Sequence, residues 1–307
     1  MEGDVEGRQL AYQPQVAGHV QPHAAVVVGG MGGSGLAGRA AQWLGVPHVL
    51  RHASYDLPPA LPPHALYVAI SYSGNTEETL SFAEAALAQH LPLAAITAGG
   101  RLSQMAVERQ LPHVLVPGGM VPRDALIAQT KALVALLGAS LDWDARDEPA
   151  HGAITTDSER LARALTGKVP LVYAGPGSEF LAYLWKTTLN ETAKVPAFSN
   201  VFPEWNHNEL QGIDPTGPLG QAIPVAPVIL ESEQDDSRIR HRMEAFARVF
   251  VEHGGAEPLV IPPPVAPRAG TFIYHWALAR AVAHALAARY HADPDATPLI
   301  EAFKKEL

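Results

Sequence analysis

The sequence predicts an α/β protein made of two doubly wound domains, each a parallel sheet flanked by helices in an α-β-α sandwich. Short apolar runs rich in valine and isoleucine alternate with helical patterns, which is typical of successive βαβ units. Several of these runs break into glycine and hydroxyl residues directly before a helical pattern begins. The strand, glycine loop and helix predicted from Ala24 recur from Val169, and this repetition indicates a duplicated fold with divergent halves.

The first half of the chain alternates strands and helices after a polar lead-in over residues 1–23, which has room for one short helix. Buried parallel strands are continuous apolar runs, and such runs predict strands from Ala24 and at 47–50, 66–70, 93–97 and 113–116. Helical spacing predicts helices at 36–44, 77–89, from 102 and at 124–138. The proline-rich residues 57–63 predict an irregular link.

Residues 141–154 turn acidic and lose their periodicity, so they are predicted to link two domains at 1–145 and 146–307. In the second half, apolar runs predict strands from Val169 and at 225–230 and 257–261. Helical patterns predict helices at 156–166, after the Gly175–Ser178 loop, at 237–252 and at 271–291.

Composition limits the classes of function. The 307-residue chain is 47% apolar and 17% charged, as expected of a compact globular protein with a large core. Its formal charge of −9 argues against nucleic acid or an anionic membrane as a partner. The absence of cysteine excludes disulfides and thiolate chemistry. The acidic N-terminus lacks a signal-peptide core, and the apolar helical run 132–137 is too short to cross a membrane, so we expect a cytoplasmic protein.

Two loops follow predicted strands and lead into helices, one at Gly30–Gly35 and one at Ser71–Thr76. Backbone N–H groups at the start of a helix attract an anion. The loops add uncharged hydroxyl donors, which are Ser34, Ser71, Ser73 and Thr76. Because both loops follow strands of one sheet, we expect them to converge on one crevice that binds phosphate.

A dinucleotide site is the competing interpretation of the first loop, since Gly30, Gly32 and Gly35 fit the G-x-G-x-x-G pattern. That pattern also requires an acidic residue at the end of the next strand. The next predicted strand ends in arginine and histidine, and Asp56 lies beyond it in the proline-rich stretch. The sequence therefore favours phosphate binding over cofactor binding.

Arg123 and Glu191 are candidate catalytic groups. Arg123 follows a strand at the predicted crevice edge, where a guanidinium can stabilise an oxyanion or hold phosphate. The alternative is an arginine that is solvated or paired with Asp124.

Glu191 ends an apolar helical pattern, and a partly buried carboxylate is a good proton shuttle. The alternative is a surface pair with Lys194.

The polar residues 203–209 form a third cluster, in which His207 is flanked by two asparagines and two glutamates. We expect these neighbours to fix the tautomer of the imidazole. The alternatives are a metal site and a plain polar loop. Glu204 and His207 have ligand side chains, but no further matching ligands follow nearby, so we expect no metal.

Five motifs then carry a resemblance to a known family. They are Gly30-Met-Gly-Gly-Ser34-Gly, Ser71-Tyr-Ser-Gly-Asn-Thr76, Pro122-Arg-Asp-Ala125, Leu189-Asn-Glu-Thr-Ala-Lys194 and Trp205-Asn-His-Asn-Glu209. Over nearly its whole length the chain resembles the bifunctional phosphoglucose/phosphomannose isomerases, which consist of two sugar-isomerase (SIS) domains. All SIS proteins, including regulators, share the phosphate loop, whereas the Asn-Glu and Asn-His-Asn-Glu elements are specific to the isomerases.

The resemblance implies a role for each matching residue. Glu191 corresponds to the base that moves a proton between C1 and C2, and Arg123 to the cation that stabilises the cis-enediolate. His207 corresponds to the ring-opening group, supplied by the partner subunit, and Lys304 to a C-terminal lysine near the sugar oxygens, although Lys305 adjoins it. Trp205 stands where the family usually has leucine, so we expect it to reshape the pocket wall. The phosphate ligands correspond to Gly33, Ser34, Ser71, Ser73 and Thr76.

The implied activity is interconversion of fructose 6-phosphate with glucose 6-phosphate and mannose 6-phosphate, in glycolysis and gluconeogenesis. It needs no cofactor or metal when protons move through an enediol. The implied assembly is a homodimer with shared active sites. Two alternatives remain, which are a non-catalytic SIS regulator that binds sugar phosphate and a lyase or aminosugar isomerase on the same scaffold. The sequence leaves the preference for glucose or mannose open.

Overall fold

A computed structural model describes residues 5–139, 151–220 and 222–306 of the chain. The chain folds into two compact units, Met1–Ala145 and Arg146–Leu307. The predicted domain boundary at 145/146 lies outside the described residues, as does most of the predicted link. Within the described ranges, no helix combines the length and the apolar character that a membrane crossing requires.

The first unit alternates strands and helices as predicted. Its strands are β1 (Val16–Ala17), β2 (Ala25–Gly29), β3 (Val49–His52), β4 (Ala65–Ser71), β5 (Leu93–Thr97) and β6 (His113–Leu115). Its helices are α1 (Val5–Ala11), α2 (Gly32–Trp43), α3 (Glu77–Ala88), α4 (Gly100–Glu108) and α5 (Leu126–Leu136), with a 3₁₀ turn at Pro122–Ala125.

The sheet of the first unit has the order β1-β6-β5-β4-β2-β3. Strands β2 to β6 pair in parallel, and their order is the 2-1-3-4-5 of doubly wound folds. The connections from β2 and β4 leave in opposite directions, so the carboxyl ends of these strands border the switch-point crevice. The predicted parallel sheet is extended at one edge by a strand that was not predicted, in which Val16 and Ala17 of β1 pair antiparallel with β6. Two residues are too few to produce a recognisable strand pattern.

Helices cover both faces of this sheet. Helices α2 and α5 pack together on one face, and α3 and α4 contribute Phe82 and Leu102 to a core cluster on the other. Because helices cover both faces, the side chains on either face of a strand are removed from water, which explains why the apolar runs of these strands are unbroken. All seven residues of β4 are buried.

The second unit contains the parallel strands β7 (Val169–Ala174), β8 (Phe198–Val201), β9 (Val225–Leu230) and β10 (Leu259–Ile261). Its helices are α6 (His151–Leu165), α7 (Glu179–Glu191), α8 (Trp205–Asn208), α9 (Ser237–Glu252), α10 (Arg268–Arg289) and α11 (Pro298–Lys304). The sheet order β10-β9-β7-β8 repeats the arrangement around β2 in the first unit. This common order supports the predicted duplication, and the crevice of the second sheet lies between β7 and β9.

Several predicted boundaries differ from the structure. Helix α2 begins at Gly32, four residues before the predicted start, because the loop glycines themselves form its first turn. Helix α6 begins at His151, inside the predicted link. The sequence did not predict this start, because Gly152 is a weak helix former. The strand β8 was not predicted at all, because its four residues include a serine and an asparagine.

Candidate active site

The two predicted anion-binding loops border the switch-point crevice of the first unit. Helix α2 begins at Gly32 directly after β2, and α3 begins at Glu77 directly after the loop that follows β4. The first N–H groups of a helix have no partner within it. Two helix N-termini at the same sheet edge therefore direct backbone donors and positive dipole ends at one crevice.

The loop hydroxyls divide into two buried and two accessible groups. Ser34 and Ser71 are 6% and 1% exposed. The Oγ of Ser71 lies 2.9 Å from the Oγ1 of Thr76 and accepts a hydrogen bond from the Gly74 N–H. Ser73 is exposed and Thr76 half-buried, so these two hydroxyls are the ones that a ligand can reach directly, while Ser34 and Ser71 support the loops.

Arg123 lies against the first loop. It occupies the 3₁₀ turn before α5, and a Cβ placed on Gly33 would lie only 2.9 Å from the Arg123 Cα. Only glycine permits this approach, which brings the half-buried Arg123 beside the start of α2. The structure thus joins three sequence predictions, namely both phosphate loops and Arg123, in the first unit.

Asp56, the acidic residue weighed for a dinucleotide site, is held elsewhere. It lies beyond β3, and its Oδ1 accepts a 2.7 Å hydrogen bond from the Ser81 hydroxyl on α3. The strand itself ends in His52. No carboxylate therefore ends β3 where a ribose would be recognised.

Glu191 is the last residue of α7 and is half-buried. Its neighbours close the end of this helix. The Asn190 amide donates to the carbonyls of Val195, at 2.9 Å, and Ala197, at 3.3 Å. The Lys194 ammonium donates to the Glu191 carbonyl and, at 3.0 Å, to that of Pro294. The Asn-Glu-x-x-Lys motif is therefore a helix end that holds Glu191 in a fixed position.

A cavity of about 600 Å³ opens beside Glu191. Its walls are largely apolar and include Val195, Leu299 and Ile300, the last two from the first turn of α11. The structure thus brings the C-terminal segment to Glu191. Lys304, at the far end of α11, is exposed and does not line this cavity.

His207 lies on the short helix α8, which follows the carboxyl end of β8. The prediction that its neighbours fix its tautomer is wrong, because its ring makes no hydrogen bond to any residue in the described ranges and is exposed. The neighbours bond to other groups. Asn208 donates to Glu204 at 3.1 Å, and Glu209 accepts from Asn200 at 2.5 Å and from the Tyr173 hydroxyl at 3.4 Å. Burial, and then the Glu209 charge, raise the pKa of Tyr173.

Trp205 is a core residue of the second unit, so the expectation that it shapes a pocket wall is wrong. It is 0% exposed, and its ring stacks on Tyr173 at 4.0 Å between centroids. Phe202 and Phe246 pack edge-on against it. A flat indole adds aromatic contact area to this cluster, and α8 is thereby anchored to the sheet with His207 facing solvent.

Glu191 and His207 lie at opposite edges of the second sheet. Helix α7 joins the parallel strands β7 and β8, so it returns antiparallel to them and ends at their amino-terminal edge. Helix α8 follows the carboxyl end of β8. The extended segment from Ala197 to Phe202 separates the two positions, and its length is about 16 Å at ~3.3 Å per residue.

The crevice of the second unit is occupied by a side chain of the protein. A Cβ on Gly175, in the loop after β7, would lie 2.0 Å from the Asp235 Oδ1, in the loop after β9. Asp235 is 6% exposed, accepts a 3.0 Å hydrogen bond from the Ser232 N–H, and burial raises its pKa. An internal carboxylate therefore stands where a second anion would enter. The sequence offered no local signal for this contact.

No cluster of metal ligands accompanies these groups. In the part of the chain that the structure describes, no three histidine, aspartate or glutamate side chains come together as a metal site.

Comparison with known proteins places the chain among sugar-phosphate proteins. The family model described as bacterial phospho-glucose isomerase C-terminal SIS domain matches residues 154–307. A bifunctional phosphoglucose/phosphomannose isomerase of Thermoplasma acidophilum is 34% identical in an alignment of 233 positions that covers 73% of this chain and 72% of that protein. One of Aquifex aeolicus is 30% identical over 95% of this chain and 93% of its own length. The structure of a glucose-6-phosphate isomerase like protein from Thermus thermophilus has a TM-score of 0.59 at 18% identity and covers 99% of this chain and 94% of that one.

Proposed function

The chain belongs to the bifunctional phosphoglucose/phosphomannose isomerase family, and on that premise we propose that it interconverts fructose 6-phosphate with glucose 6-phosphate and mannose 6-phosphate. The observation that carries the proposal is the crevice of the first unit, where two helix N-termini and accessible loop hydroxyls surround one position and Arg123 lies beside it. This is a site for a phosphate group on an otherwise uncharged substrate.

The proposed reaction moves a proton between C1 and C2 of the open-chain sugar. Glu191 takes the proton from one carbon and returns it to the other, because a half-buried carboxylate on a fixed helix end is suited to general-base catalysis. Arg123 stabilises the negative charge that develops on the enediolate oxygen. His207 opens the cyclic sugar by moving the proton of the C1 hydroxyl to the ring oxygen as the bond between C1 and that oxygen breaks, and Lys304 assists at the sugar oxygens. None of these steps requires a metal or an organic cofactor.

We further propose a homodimer in which each site receives His207 from the partner subunit. The support is the separation of Glu191 and His207 at opposite edges of one sheet. Base and ring-opening group must each contact the same hexose, which is only a few ångströms across. Two copies related by a two-fold axis provide each site with both groups.

A coupled assay on the three hexose 6-phosphates tests the proposal. We expect turnover of fructose, glucose and mannose 6-phosphates and none of the unphosphorylated sugars, because the phosphate supplies the binding energy that positions the reacting carbons. D-glucosamine 6-phosphate serves as the control for an aminosugar enzyme. Binding of sugar phosphate without turnover of any of them would replace the isomerase with a non-catalytic regulator.

A further inference from the structure

We propose that Tyr72 is a positioning residue that holds the Arg123 turn against the phosphate loop. It lies between Ser71 and Ser73 at the end of β4, and its side chain is buried, with 7% exposure. The inference rests on the proposed function, since it assigns to Tyr72 an effect on the catalytic role of Arg123.

The Tyr72 hydroxyl holds the segment that leads to Arg123. It donates a hydrogen bond to the Pro117 carbonyl and accepts one from the Met120 N–H, each at 3.0 Å. One phenol group thus closes residues 117–120 into a loop whose end lies three residues before Arg123. A group that is both donor and acceptor is needed here, because it satisfies a carbonyl and an amide together.

The Tyr72 backbone holds the phosphate loop at the same time. Its N–H donates to the Ser34 Oγ at 3.1 Å, and Ser34 also accepts from the Gln129 amide of α5 at 3.3 Å. The preceding residue in the loop, Gly33, is in contact with the Arg123 main chain. The contacts form a closed circuit from Tyr72 through Ser34 and Gly33 to Arg123, and back through Met120.

A second support explains why loss of the hydroxyl should displace the turn without unfolding it. The Arg8 guanidinium donates to the Gly118 carbonyl at 2.8 Å, and the buried Gln9 amide donates to the Asp124 carbonyl. These contacts from α1 persist when Tyr72 is changed. Arg123 then keeps its place in the chain but loses its precise alignment, and misplacement by about 1 Å can cost about 100-fold in rate.

The test is Tyr72→Phe, which removes only the hydroxyl. We expect kcat for fructose 6-phosphate to fall by about 10- to 100-fold. KM and the inhibition constant of inorganic phosphate should change by less than about threefold, because the loop hydroxyls and helix N-termini that bind phosphate are unchanged. Tyr67→Phe is the matched control, because Tyr67 lies on the same strand and its buried hydroxyl has no hydrogen-bond partner among the described residues. This control should have wild-type kcat and KM.

A double-mutant cycle with Arg123→Ala identifies the route of the effect. If Tyr72 acts through Arg123, then adding Tyr72→Phe to Arg123→Ala should lower kcat by less than about twofold further. Gly119→Ala is a second variant that reaches the loop without altering Tyr72, since Gly119 has φ of +77° and an added Cβ strains the backbone next to Met120. It should lower kcat with the same small change in KM, and it keeps the test decisive should Tyr72→Phe fold poorly.

The outcomes separate this inference from the proposed function. Wild-type kcat in both Tyr72→Phe and Gly119→Ala, in an enzyme whose wild type turns over and whose Arg123→Ala variant is impaired, would overturn the inference alone. If Tyr72→Phe lowers kcat by the same factor in the wild-type and in the Arg123→Ala background, the inference is also overturned. Absence of turnover in the wild-type protein would instead refute the proposed isomerase.

Discussion

Hydroxyl residues of the phosphate crevice differ in what they do, although the sequence presents them alike. Ser71 is buried and bonded to the Gly74 N–H, which makes it part of the loop framework. Ser73 is exposed, and its Oγ accepts only the local Asn75 N–H at 3.2 Å in the described part of the chain. The Ser73 hydroxyl is therefore available to a ligand, whereas the Ser71 hydroxyl is already engaged within the loop.

Substitution of these two serines should have different effects. Ser73→Ala is expected to raise KM for fructose 6-phosphate by about 10- to 100-fold, because a hydrogen bond to a charged acceptor contributes about 1.5–3 kcal/mol, and to leave Tm unchanged. Ser71→Ala should, by contrast, lower Tm, because the Gly74 N–H loses its side-chain acceptor. Steady-state kinetics and thermal melting of both variants provide the comparison. An unchanged KM in Ser73→Ala would place the phosphate elsewhere.

Glu191→Gln should abolish turnover while sugar-phosphate binding persists. The amide keeps the shape of the side chain and removes its basicity, so we expect a loss of about 100-fold or more in kcat and little change in KM. Glu179→Gln, at the opposite end of the same helix, is the matched control. Wild-type turnover in Glu191→Gln would remove the proposed base.

His275 links stability to pH through a group outside the site. It is fully buried on α10, its Nδ1 accepts the Trp185 indole N–H at 3.2 Å, and burial lowers its pKa to about 4. In the unfolded chain the pKa of histidine is about 6.5. Below that pH the unfolded state binds a proton that the folded state does not, so stability falls as pH decreases from about 6.5 to about 4.

Replacement of this histidine should flatten that pH dependence. Over the whole interval of 2.5 pH units His275 accounts for at most about 3.5 kcal/mol, at ~1.4 kcal/mol per pH unit. Urea unfolding at several pH values should therefore show a smaller slope in His275→Gln than in the wild type. His241→Gln, on the exposed side of α9, should retain the wild-type slope. Identical slopes in all three proteins would contradict the assignment.

At the scale of elements, the N-terminal segment is part of the first unit and more than a lead-in. Helix α1 packs against α5, and Gln9 is 0% exposed. Its amide donates to the Asp124 carbonyl, and its Oε1 accepts the Ala128 N–H at 3.1 Å. One glutamine thereby satisfies backbone groups at the start of α5, where a helix has unpaired donors.

Gln9→Ala should destabilise the first unit. Two buried backbone groups lose their partners, which we expect to cost about 2–3 kcal/mol in the free energy of unfolding. The exposed Gln104 on α4 provides the control, and Gln104→Ala should stay within about 0.5 kcal/mol of the wild type. Urea titrations measure both. A Gln9→Ala protein as stable as the control would show that water replaces these bonds.

At the scale of the whole molecule, the two units share a strand order but differ at the switch point. In the first unit, helix N-termini and hydroxyls border the crevice. In the second unit, the Asp235 carboxylate occupies the corresponding position. A bound anion would meet a negative charge there. Of the two switch points, the one in the first unit is therefore the proposed phosphate crevice, and the second unit contributes the proposed base.

Subunit complementation tests the proposed dimer. Glu191→Gln and His207→Ala proteins should each be nearly inactive on the cyclic sugar. In a mixed dimer one site receives both defects and the other receives neither. With random exchange, half of the dimers are mixed and half of their sites are intact, so about a quarter of wild-type activity should return. If native mass spectrometry detects mixed dimers and no activity returns, His207 acts within its own chain.

Local sequence patterns predicted the α/β class, the positions of most strands and helices, and the loops that border the switch-point crevice. These are local properties, because apolar periodicity and glycine loops are set within about ten consecutive residues. The sequence also placed Glu191 at a helix end, where the structure has it. Boundaries failed where the local pattern was weak, as in the two-residue strand β1 and the polar strand β8.

Which of these residues come into contact depends on the packing of the whole unit. Gln9 and Ala128 are 119 positions apart, and Tyr72 and Met120 are 48 apart, so no sequence window contains either contact. The same holds for Asp235 in the second crevice and for the burial of Trp205, which the family resemblance had assigned to the pocket wall. Such contacts depend on how helices pack on the sheet, and packing is settled by burial over the whole unit, which local periodicity does not encode.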